Sequence, residues 1–342
     1  MSGYYLLKRG EFAYNRSSSN EYPFGSIKRL EKYDKGAVST LYLCFAVRDG
    51  VVDCNFLKYY LDSPKWHKSV GMICAEGARN HGLLNVPTEG FFDTEHYISG
   101  ENNEQTHIAD FVALIDARIA AQRRLVELLK KHKRGVVEQI FGRRLEIGSN
   151  AEKWEVVELC DLFKKVARRN RNGKVKNVIT NSAEYGLIPQ REFFDKSIAV
   201  DGNTDGYYVI RTGDFVYNPR KSTIAPFGPF NRYTGNDDGI ISPLYTCLVQ
   251  AGDANPDYLA WYFRSTAWHR YVYDNGSQGA RHDRVNMTDD LLFGIPVLLP
   301  SGNIQAWIAD MLNSIEARLS DADKTLTQLE TMKRGLLQQL FV

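Results

Sequence analysis

Two long stretches of the chain carry the same apolar repeat, and no other feature constrains the fold as strongly. In Gln105–Phe141 and in Gln305–Phe341, apolar residues recur at alternating steps of three and four. A period of about 3.5 residues is typical of a helix that packs against another helix. We expect two helices that pair with each other, each about 55 Å long. The predicted seam residues are Ile108, Val112, Ile115, Ile119, Val126 and Leu129 in the first stretch and Ile308, Leu312, Ile315, Leu319, Leu326 and Leu329 in the second.

The repeat extends well beyond the helices. Residues 4–15 read YYLLKRGEFAYN and residues 207–218 read YYVIRTGDFVYN, an offset of 203 positions. Residues 108–110 and 308–310 are both Ile-Ala-Asp, so the offset falls only to 200 along the unit. A nearly constant offset indicates a duplicated unit. Residues 152–203 precede the second copy and have no counterpart in the first, which therefore begins late.

Each copy is predicted to be a β-rich domain followed by one long helix, which makes the fold class α+β. Residues 207–217 and 240–249 are rich in β-branched and aromatic residues and are bounded by Gly, Pro and Asn, as strands are. Residues 256–271 have one apolar helical face, and residues 294–300 are predicted to form a last buried strand. The expected divisions are a partial first domain at 1–103, a first long helix at 104–141, a linker at 142–151, a complete second domain at 152–303 and a second long helix at 304–342.

Composition bounds the number of domains and the compartment. With 342 residues, the chain is long enough for two domains with their own cores. Its 43% hydrophobic and 25% charged residues are ordinary for a globular protein. No apolar run could cross a bilayer, and the N-terminal residues lack the apolar core of a signal peptide. Because the five cysteines show no paired spacing, we expect reduced thiols and a cytoplasmic protein.

Several local motifs accompany the duplication. The pattern G-[DE]-F-x-Y-N occurs at Gly10–Asn15 and again at Gly213–Asn218. A G-x-R triplet at Gly279–Arg281 precedes an I-P-x-x-x-P strand at Ile295–Pro300, and the second long helix ends in KRGLLQQLF at Lys333–Phe341. The second domain opens on WEVVELCD. With these motifs and the order β-rich unit, helix, β-rich unit, helix, the chain resembles the specificity (S) subunits of type I restriction–modification systems over essentially its whole length.

The resemblance implies a role in DNA recognition and phage defence without catalysis. Each β-rich domain would be a target-recognition domain that reads one half of a bipartite site on double-stranded DNA, the first being N-terminally incomplete. The two helices would form an antiparallel coiled coil that sets the spacing of the half-sites. Two adenine-N6 DNA methyltransferase subunits and the ATP-dependent restriction (nuclease–translocase) subunits would join the chain. S-adenosylmethionine, ATP and Mg²⁺ would bind only to those partners, and no cofactor would bind to this chain.

Two alternatives stay open within this resemblance. A second copy or another polypeptide would complete the first domain, or that domain would be a remnant. The whole chain could instead be a coiled-coil scaffold of the same family that no longer reads DNA.

The segment KKVARRNRNGKVK at residues 164–176 contains seven basic residues and no acidic one. Lys and Arg neutralise backbone phosphates and orient a protein on the duplex. The alternative is a solvated loop or helix face, and within a recognition domain we favour phosphate contact. The candidates are Lys164, Lys165, Arg168, Arg169, Arg171, Lys174 and Lys176.

Other polar residues of the second domain are candidates for contact with bases. Asn181, Ser182 and Tyr185 follow the basic segment, and Asn pairs with adenine in the major groove, although Asn and Ser are equally common in turns. Arg281 recurs in the first copy as Arg79, which favours architecture or phosphate contact over sequence readout. The remaining candidates for base or phosphate contact are Arg220, Lys221, Arg232, Gln278, Arg281 and Arg284.

Motifs typical of enzymes are missing from the sequence. Residues 218–221, Asn-Pro-Arg-Lys, superficially resemble the Asn-Pro-Pro-aromatic motif of adenine methyltransferases, but they lack the aromatic ring that stacks on a flipped base. The sequence has no phosphate-binding Gly-rich loop, no G-x-S-x-G and no His-rich metal spacing. We expect no catalytic residue and no metal site in this chain.

Lys133 and Lys333 interrupt the apolar seam at equivalent steps. We expect their ammonium groups to reach solvent near the helix ends. Gly135 and Gly335 follow them, and Gly costs about 1 kcal/mol relative to Ala inside a helix. The two glycines therefore predict a bend, or a close approach of another backbone, at each position.

Overall fold

A computed structural model describes residues 3–48, 50–74, 82–142, 154–171, 173–190, 204–276 and 283–341. The chain divides into two compact units. Unit 1 comprises Met1–Glu127 with Ser320–Val342, and unit 2 comprises Leu128–Leu319. The candidates Gln278 and Arg281 lie outside the described residues, as does the predicted linker apart from Gly142.

The described residues of unit 1 form two small sheets, three short helices and parts of both long helices. Its strands are β1 (Tyr4–Lys8), β2 (Phe12–Asn15), β3 (Ser26–Arg29), β4 (Lys35–Ser39) and β5 (Leu43–Phe45), followed by α1 (Cys54–Asp62), α2 (His67–Ile73), α3 (Thr88–Phe92) and α4 (Asn102–Phe141). Strands β1 and β4 pair antiparallel, and the second sheet has the order β3-β2-β5. In β2, Phe12 and Tyr14 are buried and alternate with half-buried residues, as period-2 patterning requires. They form the core of unit 1 with Ile27, Leu43 and Trp66.

Among the described residues, unit 2 has more β-strands than unit 1. Its elements are β6 (Glu155–Glu158), α5 (Leu159–Leu162), β7 (Phe163–Val166), β8 (Ile179–Ser182), β9 (Gly186–Pro189), β10 (Tyr208–Ile210), β11 (Phe215–Tyr217), β12 (Phe230–Arg232), β13 (Gly239–Ile241), β14 (Thr246–Gln250), α6 (Pro256–Arg264), α7 (His269–Asn275), α8 (Asp289–Phe293), β15 (Pro296–Leu299) and α9 (Gly302–Leu340). The central sheet has the order β12-β11-β14-β7, and three two-stranded sheets pair β10 with β13, β15 with β6 and β8 with β9.

The apolar segment at residues 256–271, predicted as one helix, is two. Helix α6 ends where the Ser265 hydroxyl donates to the Tyr262 carbonyl, 2.6 Å. A side chain that satisfies a terminal carbonyl competes with continuation of the helix. The chain then turns so that Trp268 is buried and its Nε1 donates to the Phe263 carbonyl, 3.0 Å.

The duplication recurs in the hydrogen bonds of the two units. The Tyr14 hydroxyl donates to the Phe24 carbonyl at 2.7 Å, and the Tyr217 hydroxyl donates to the Phe227 carbonyl at 2.9 Å. Each bond closes a Pro-Phe-Gly turn whose glycine has a positive φ. At Gly25 (φ +78°) an added Cβ would lie 2.1 Å from the Asn15 carbonyl oxygen, so only glycine fits this turn.

In unit 1, the first part of α4 packs against the last part of α9 in antiparallel orientation. Asp116 and Lys333 form an ion pair at 2.6 Å, and the buried Gln122 donates to the carbonyl of Ala322 at 2.8 Å. Residue numbers therefore increase along α4 while those of the contacting residues in α9 decrease, which defines an antiparallel pair. The seam residues of this part are all buried or half-buried: Ile108, Val112, Ile115, Ile119, Val126, Leu326 and Leu329.

In unit 2, the end of α4 packs against the start of α9 in the same antiparallel sense. Lys133 and Glu316 form an ion pair at 2.7 Å, and Ile140 and Phe141 belong to the same core cluster as Leu312. The remaining seam residues are again buried or half-buried: Leu129, Ile308, Leu312, Ile315 and Leu319. These contacts confirm the predicted α+β fold class with two paired long helices.

The two seam lysines lie in ion pairs rather than reaching free solvent, since the opposite helix presents an acid at each position. The predicted close approach at Gly135 and Gly335 is wrong. A Cβ added at either glycine would meet no atom of the described structure within 4 Å. No helix among the described residues has the length and apolar character needed to cross a membrane.

Candidate nucleic-acid interface

The basic segment of unit 2 begins on an edge strand. Strand β7 pairs antiparallel with β14, with Phe163 opposite Gln250 and Val166 opposite Cys247. Phe163 is buried while Lys164 and Lys165 are exposed. The Lys165 ammonium lies 2.5 Å from the Asp289 carboxylate, so Lys164 is the cation of this strand that no described acid neutralises.

Arg168 forms an ion pair with a buried aspartate inside unit 2. Its guanidinium donates to both carboxylate oxygens of Asp214, at 2.6 and 3.2 Å, and Asp214 is buried. Burial raises the pKa of this carboxyl above its ordinary value, although the guanidinium and the backbone N–H of Arg211 oppose that rise. Because the bidentate pair occupies the fork of Arg168, the geometry favours a structural role for this residue.

The loop after β7 exposes three cations. Asn170 is buried, donates to the Val175 carbonyl at 2.9 Å and accepts from the Val175 N–H at 3.2 Å. This clamp closes the loop, and Arg171, Lys174 and Lys176 are exposed on it. Within the described residues, none of the three makes an ion pair or a side-chain hydrogen bond. Most of the unneutralised charge of the basic segment therefore lies on this loop. Arg169, just before it, donates to the Gly206 carbonyl at 3.2 Å and lies over the Tyr208 ring.

A second group of cations forms where two distant segments meet. Arg220 and Arg284 are opposite each other in an isolated antiparallel bridge, and the Lys221 N–H donates to the Asp283 carbonyl at 2.8 Å. The guanidinium of Arg220 lies 4.0 Å from the Asp283 carboxylate, with both side chains mostly exposed. A surface pair of this geometry leaves the cation available to a phosphate or a base.

Arg284 also lines a cleft of about 390 Å³ whose other walls include Tyr217, Leu244, Thr246 and Met287. The lining combines apolar side chains with the Arg284 guanidinium and with the Asp289 carboxylate, which pairs with Lys165. The guanidinium could donate to a base edge or to a phosphate.

Asn181 and Ser182, two candidates for contact with bases, make hydrogen bonds within unit 2. Asn181 is buried; its amide donates to the Val216 carbonyl at 2.9 Å and its Oδ1 accepts from Asn231 at 2.8 Å. The Ser182 hydroxyl accepts from the backbone N–H groups of Glu184 and Tyr185, as in a turn. The geometry favours the turn interpretation for Ser182 and a structural role between strands for Asn181, whereas Tyr185 is exposed in the turn.

Arg232 is likewise part of the architecture. It forms an ion pair with Asp257 at 2.5 Å, and its repeat counterpart Arg29 donates to Asn55, the counterpart of Asp257, at 2.8 Å. The same contact in both units points to a shared structural role.

A second polar cleft was not predicted from the sequence. It has a volume of about 670 Å³ and lies beside the basic loop, since Lys176 is one of its lining residues. Asn177, Gln190, Thr234 and Asn236 supply further amide and hydroxyl groups. The polar run Thr-Gly-Asn-Asp-Asp at residues 234–238 was the signal that could have indicated it.

The repeat separates general architecture from features particular to unit 2. The bridge of Arg220 with Arg284 corresponds in unit 1 to a bridge of Ser17 with Leu83, and Lys221 corresponds to Ser18. The basic loop has no counterpart among the described residues of unit 1. We name Lys164, Arg171, Lys174, Lys176, Arg220, Lys221 and Arg284 the basic surface of unit 2.

Among the described residues, no group of three or more His, Cys, Asp or Glu could hold a metal ion. The five cysteines form no disulfide. Asn218, the first residue of the methyltransferase-like motif, is buried and accepts from the Arg220 N–H at 3.0 Å, which is the geometry of a strand-end turn.

Two β-rich units, each containing part of an antiparallel pair of long helices, define the fold class of the type I restriction–modification specificity subunits. The chain is similar in fold to a structure from work on complex assembly and conformational transition of the type I R-M system, with a TM-score of 0.61 and 15% identity, covering 100% of this chain and 84% of that one. It is also similar to the HsdS subunit from Thermoanaerobacter tengcongensis, with a TM-score of 0.50 and 16% identity over 98% of this chain and 81% of that one.

A third similar structure is the type I restriction–modification system S subunit from M. genitalium, with a TM-score of 0.50 and 13% identity, covering 98% of this chain and 84% of that one. No protein-family model matches the sequence, and neither does any curated protein. The likeness is therefore one of fold.

Proposed function

We propose that this chain is a sequence-specific DNA-recognition and scaffold subunit of a type I restriction–modification complex, with unit 2 as the part that contacts DNA. The main support is the basic surface of unit 2, whose cations are mostly exposed and have few acidic partners. Three of these residues, Arg220, Lys221 and Arg284, have counterparts in unit 1, and those counterparts are the uncharged Ser17, Ser18 and Leu83. The fold shared with S subunits supports the same role.

The basic surface divides by the kind of contact that its residues could make. Arg171, Lys174 and Lys176 are exposed on one loop and pair with no described acid, which suits sequence-independent phosphate contact. Arg284 lines the cleft together with Tyr217 and Leu244 and has the planar donor fork that reads guanine in the major groove. The loop would supply affinity and orientation, and the cleft would supply part of the specificity.

The chain would supply no chemistry of its own. Adenine-N6 methyltransferase subunits would modify the bipartite site, and ATP-dependent restriction subunits would cleave DNA that lacks the modification. S-adenosylmethionine, ATP and Mg²⁺ would then belong to those partners. The paired long helices are the proposed scaffold that such partners would recognise.

The test measures, by fluorescence anisotropy, how tightly the chain binds a pool of random-sequence DNA duplexes. The measurement is repeated at salt concentrations between about 50 and 200 mM, a range over which phosphate contacts dominate the change in affinity. The triple variant Arg171→Gln, Lys174→Gln, Lys176→Gln should bind more weakly. Because each lost phosphate contact reduces the slope of log K against log salt by about 0.9, the slope should fall by about 3.

The matched control removes the same charge elsewhere. Lys32, Lys68 and Lys131 are exposed and have no ion pair among the described residues, so their triple change to Gln should leave the slope unchanged. Equal losses for the two triple variants would mean that only net charge matters. No DNA binding by the unaltered chain, even with a methyltransferase partner present, would contradict the proposal and favour a scaffold that does not read DNA.

A further inference from the structure

The polar cleft beside the basic loop contains side chains that make no bond within the fold. We call it the amide cleft; its volume is about 670 Å³, and its polar lining residues are Lys176, Asn177, Gln190, Thr234, Asn236 and Asp237. Among the described residues, the side chains of Gln190, Thr234 and Asn236 have no hydrogen-bond partner in the protein. The amides of Asn181 and Asn231, by contrast, bond within unit 2. The cleft therefore offers donors and acceptors to a ligand.

One wall of the amide cleft is a loop that packs on its own tyrosine. Tyr233 is buried, and its hydroxyl donates to the Asp237 carbonyl at 2.8 Å. A Cβ added at Gly235 would lie 2.3 Å from that hydroxyl oxygen, so the loop backbone lies directly against the ring. The Thr212 hydroxyl donates to the Gly235 carbonyl. These contacts fix the backbone that carries Asn236.

A second wall follows the basic loop and is tied to the first. The Gln190 N–H donates to the Val178 carbonyl at 2.8 Å, and the Ile240 N–H donates to the Asn177 carbonyl at 2.8 Å. The Asn177 side chain also hydrogen-bonds to the Tyr233 hydroxyl. Hydrogen bonds thus hold both walls in one arrangement, which reduces the ordering that binding of a ligand would require.

The amide cleft adjoins the cations proposed to contact phosphates. Lys176 lines the cleft and is one of the three exposed cations of the basic loop. Phosphate contacts position a protein on a duplex, whereas contacts with base edges read the sequence. DNA held by the basic loop would therefore present base edges close to the amide groups.

The repeat shows that the loop of the first wall is particular to unit 2. Gly36 and Gly239 occupy equivalent positions in the β1–β4 and β10–β13 pairs, so residues 31–35 and 234–238 are equivalent loops. The first reads Glu-Lys-Tyr-Asp-Lys and the second reads Thr-Gly-Asn-Asp-Asp. In unit 1, Glu31 forms ion pairs with Arg29 and Lys58. Residues that read sequence are expected to differ between two domains that bind different half-sites.

We infer that the amide cleft reads an adenine in the half-site bound by unit 2, an inference that rests on the proposed function. The amide of Asn or Gln donates to adenine N7 and accepts from the N6 amino group in the major groove. Gln190 and Asn236 supply the amides for this bidentate contact, and Lys176 would bind an adjoining phosphate.

The carboxylate of Asp237 adds discrimination against guanine. It lines the same cleft, and an ionised carboxylate only accepts hydrogen bonds. Guanine presents two acceptors, N7 and O6, in the major groove, whereas adenine presents an amino group beside N7. A guanine in the cleft would leave the carboxylate facing acceptors. The amide cleft is thus chemically opposite to the cleft of Arg284, whose guanidinium suits guanine.

The test is selection of duplexes from a random-sequence pool by the full chain, followed by sequencing of the bound fraction. The unaltered chain should select adenine at a position where the double variant Gln190→Ala, Asn236→Ala does not. The preference should fall by about 5- to 150-fold, the range for one bidentate base contact. The salt slope and the thermal unfolding of this variant should be unaltered, because neither side chain bonds within the described fold. Asp237→Asn should admit guanine at the same position.

Base analogues test the contact atom by atom. Purine in place of the selected adenine removes the amino group, and 7-deazaadenine removes N7. Each analogue should weaken binding to the unaltered chain and have no further effect on the double variant. The matched control, Asn103→Ala with Gln328→Ala, removes one exposed Asn and one exposed Gln from the long helices and should leave the selected sequence unchanged.

The outcomes separate this inference from the proposed function. An unchanged base preference in the double variant would overturn the inference and leave the proposed function standing. A uniform loss of affinity for all sequences with a smaller salt slope would also overturn it, because the cleft would then contact phosphates. Loss of preference for a base other than adenine would overturn it as well. Failure of the unaltered chain to bind any duplex would overturn both.

Discussion

Lys133 of α4 and Glu316 of α9 form an ion pair at 2.7 Å in unit 2. Their repeat counterparts, Lys333 and Asp116, form the corresponding pair at 2.6 Å in unit 1. The lysine thus comes from α4 in unit 2 and from α9 in unit 1, as expected when two copies of one helix pack antiparallel. The same position of the repeat therefore forms an ion pair between the helices in each unit.

This register predicts the outcome of a charge exchange. Lys133→Glu places two carboxylates together, and the free energy of unfolding should fall by about 1 kcal/mol, since partly exposed pairs contribute about 0–1 kcal/mol. Adding Glu316→Lys should restore most of that loss. Urea unfolding measures both effects, and Lys131→Glu, an exposed change on the same helix, should have little effect. A double variant less stable than Lys133→Glu alone would contradict the observed register.

The helix glycines give a second prediction. Because a Cβ at Gly135 or Gly335 meets no described atom within 4 Å, each change to Ala should raise the free energy of unfolding by about 1 kcal/mol, the ordinary difference in helix propensity. Gly25→Ala is the contrasting variant, because its Cβ would lie 2.1 Å from a backbone oxygen, and it should destabilise. Thermal or urea unfolding distinguishes the two classes, and loss of stability in Gly335→Ala would reveal a constraint absent from the structure.

Asn181 gives a third prediction, which separates folding from DNA contact. Asn181→Ala removes the donor to the buried Val216 carbonyl and one of the two acceptors of the Asn231 amide, which keeps the Ser182 carbonyl; the cost should be about 1–3 kcal/mol. The folded variant should keep the salt slope of DNA binding. Asn103→Ala, an exposed change on α4, is the control for stability. A reduced slope with unaltered stability would instead assign Asn181 to the DNA surface.

The parts of the fold that depend on local pattern could be predicted from the sequence. The spacing of apolar residues in α4 and α9 predicts both helices and their seam, because residues three and four positions apart lie on the same face of a helix. The offset of 203 positions also makes Gly25 and Gly228 equivalent, and both have the positive φ that favours glycine.

The candidate site could be predicted only in part, because neutralisation depends on residues far away in the sequence. Nothing local distinguishes Arg168, which meets Asp214, from Arg171, which meets no described acid. Lys165 is paired with an aspartate from the segment before the last strand. The break between α6 and α7 was also missed, since the apolar face continues past Ser265 and only the hydroxyl's bond to Tyr262 marks the end.

The repeat-equivalent histidines His67 and His269 give a prediction about pH. Each ring packs against a phenylalanine, with centroids 5.2 Å apart for Phe24 and 4.9 Å for Phe227. Burial lowers the pKa of both imidazoles below the ordinary value of 6.5. As the pH falls through about 6.5, the unfolded chain takes up protons that the folded chain does not, so the free energy of unfolding should fall with it.

The stabilisation is thus complete above the unfolded pKa and is lost as the pH falls towards the folded pKa of each ring. Urea unfolding at several pH values between 5 and 8 should show a smaller loss in the double variant His67→Leu, His269→Leu, because each such histidine accounts for at most about 1.4 kcal/mol per pH unit. His132→Gln, an exposed change on α4, should leave the pH dependence as it is. An undiminished slope in the double variant would mean that other groups, such as His96, whose pKa is also lowered by desolvation, carry the effect.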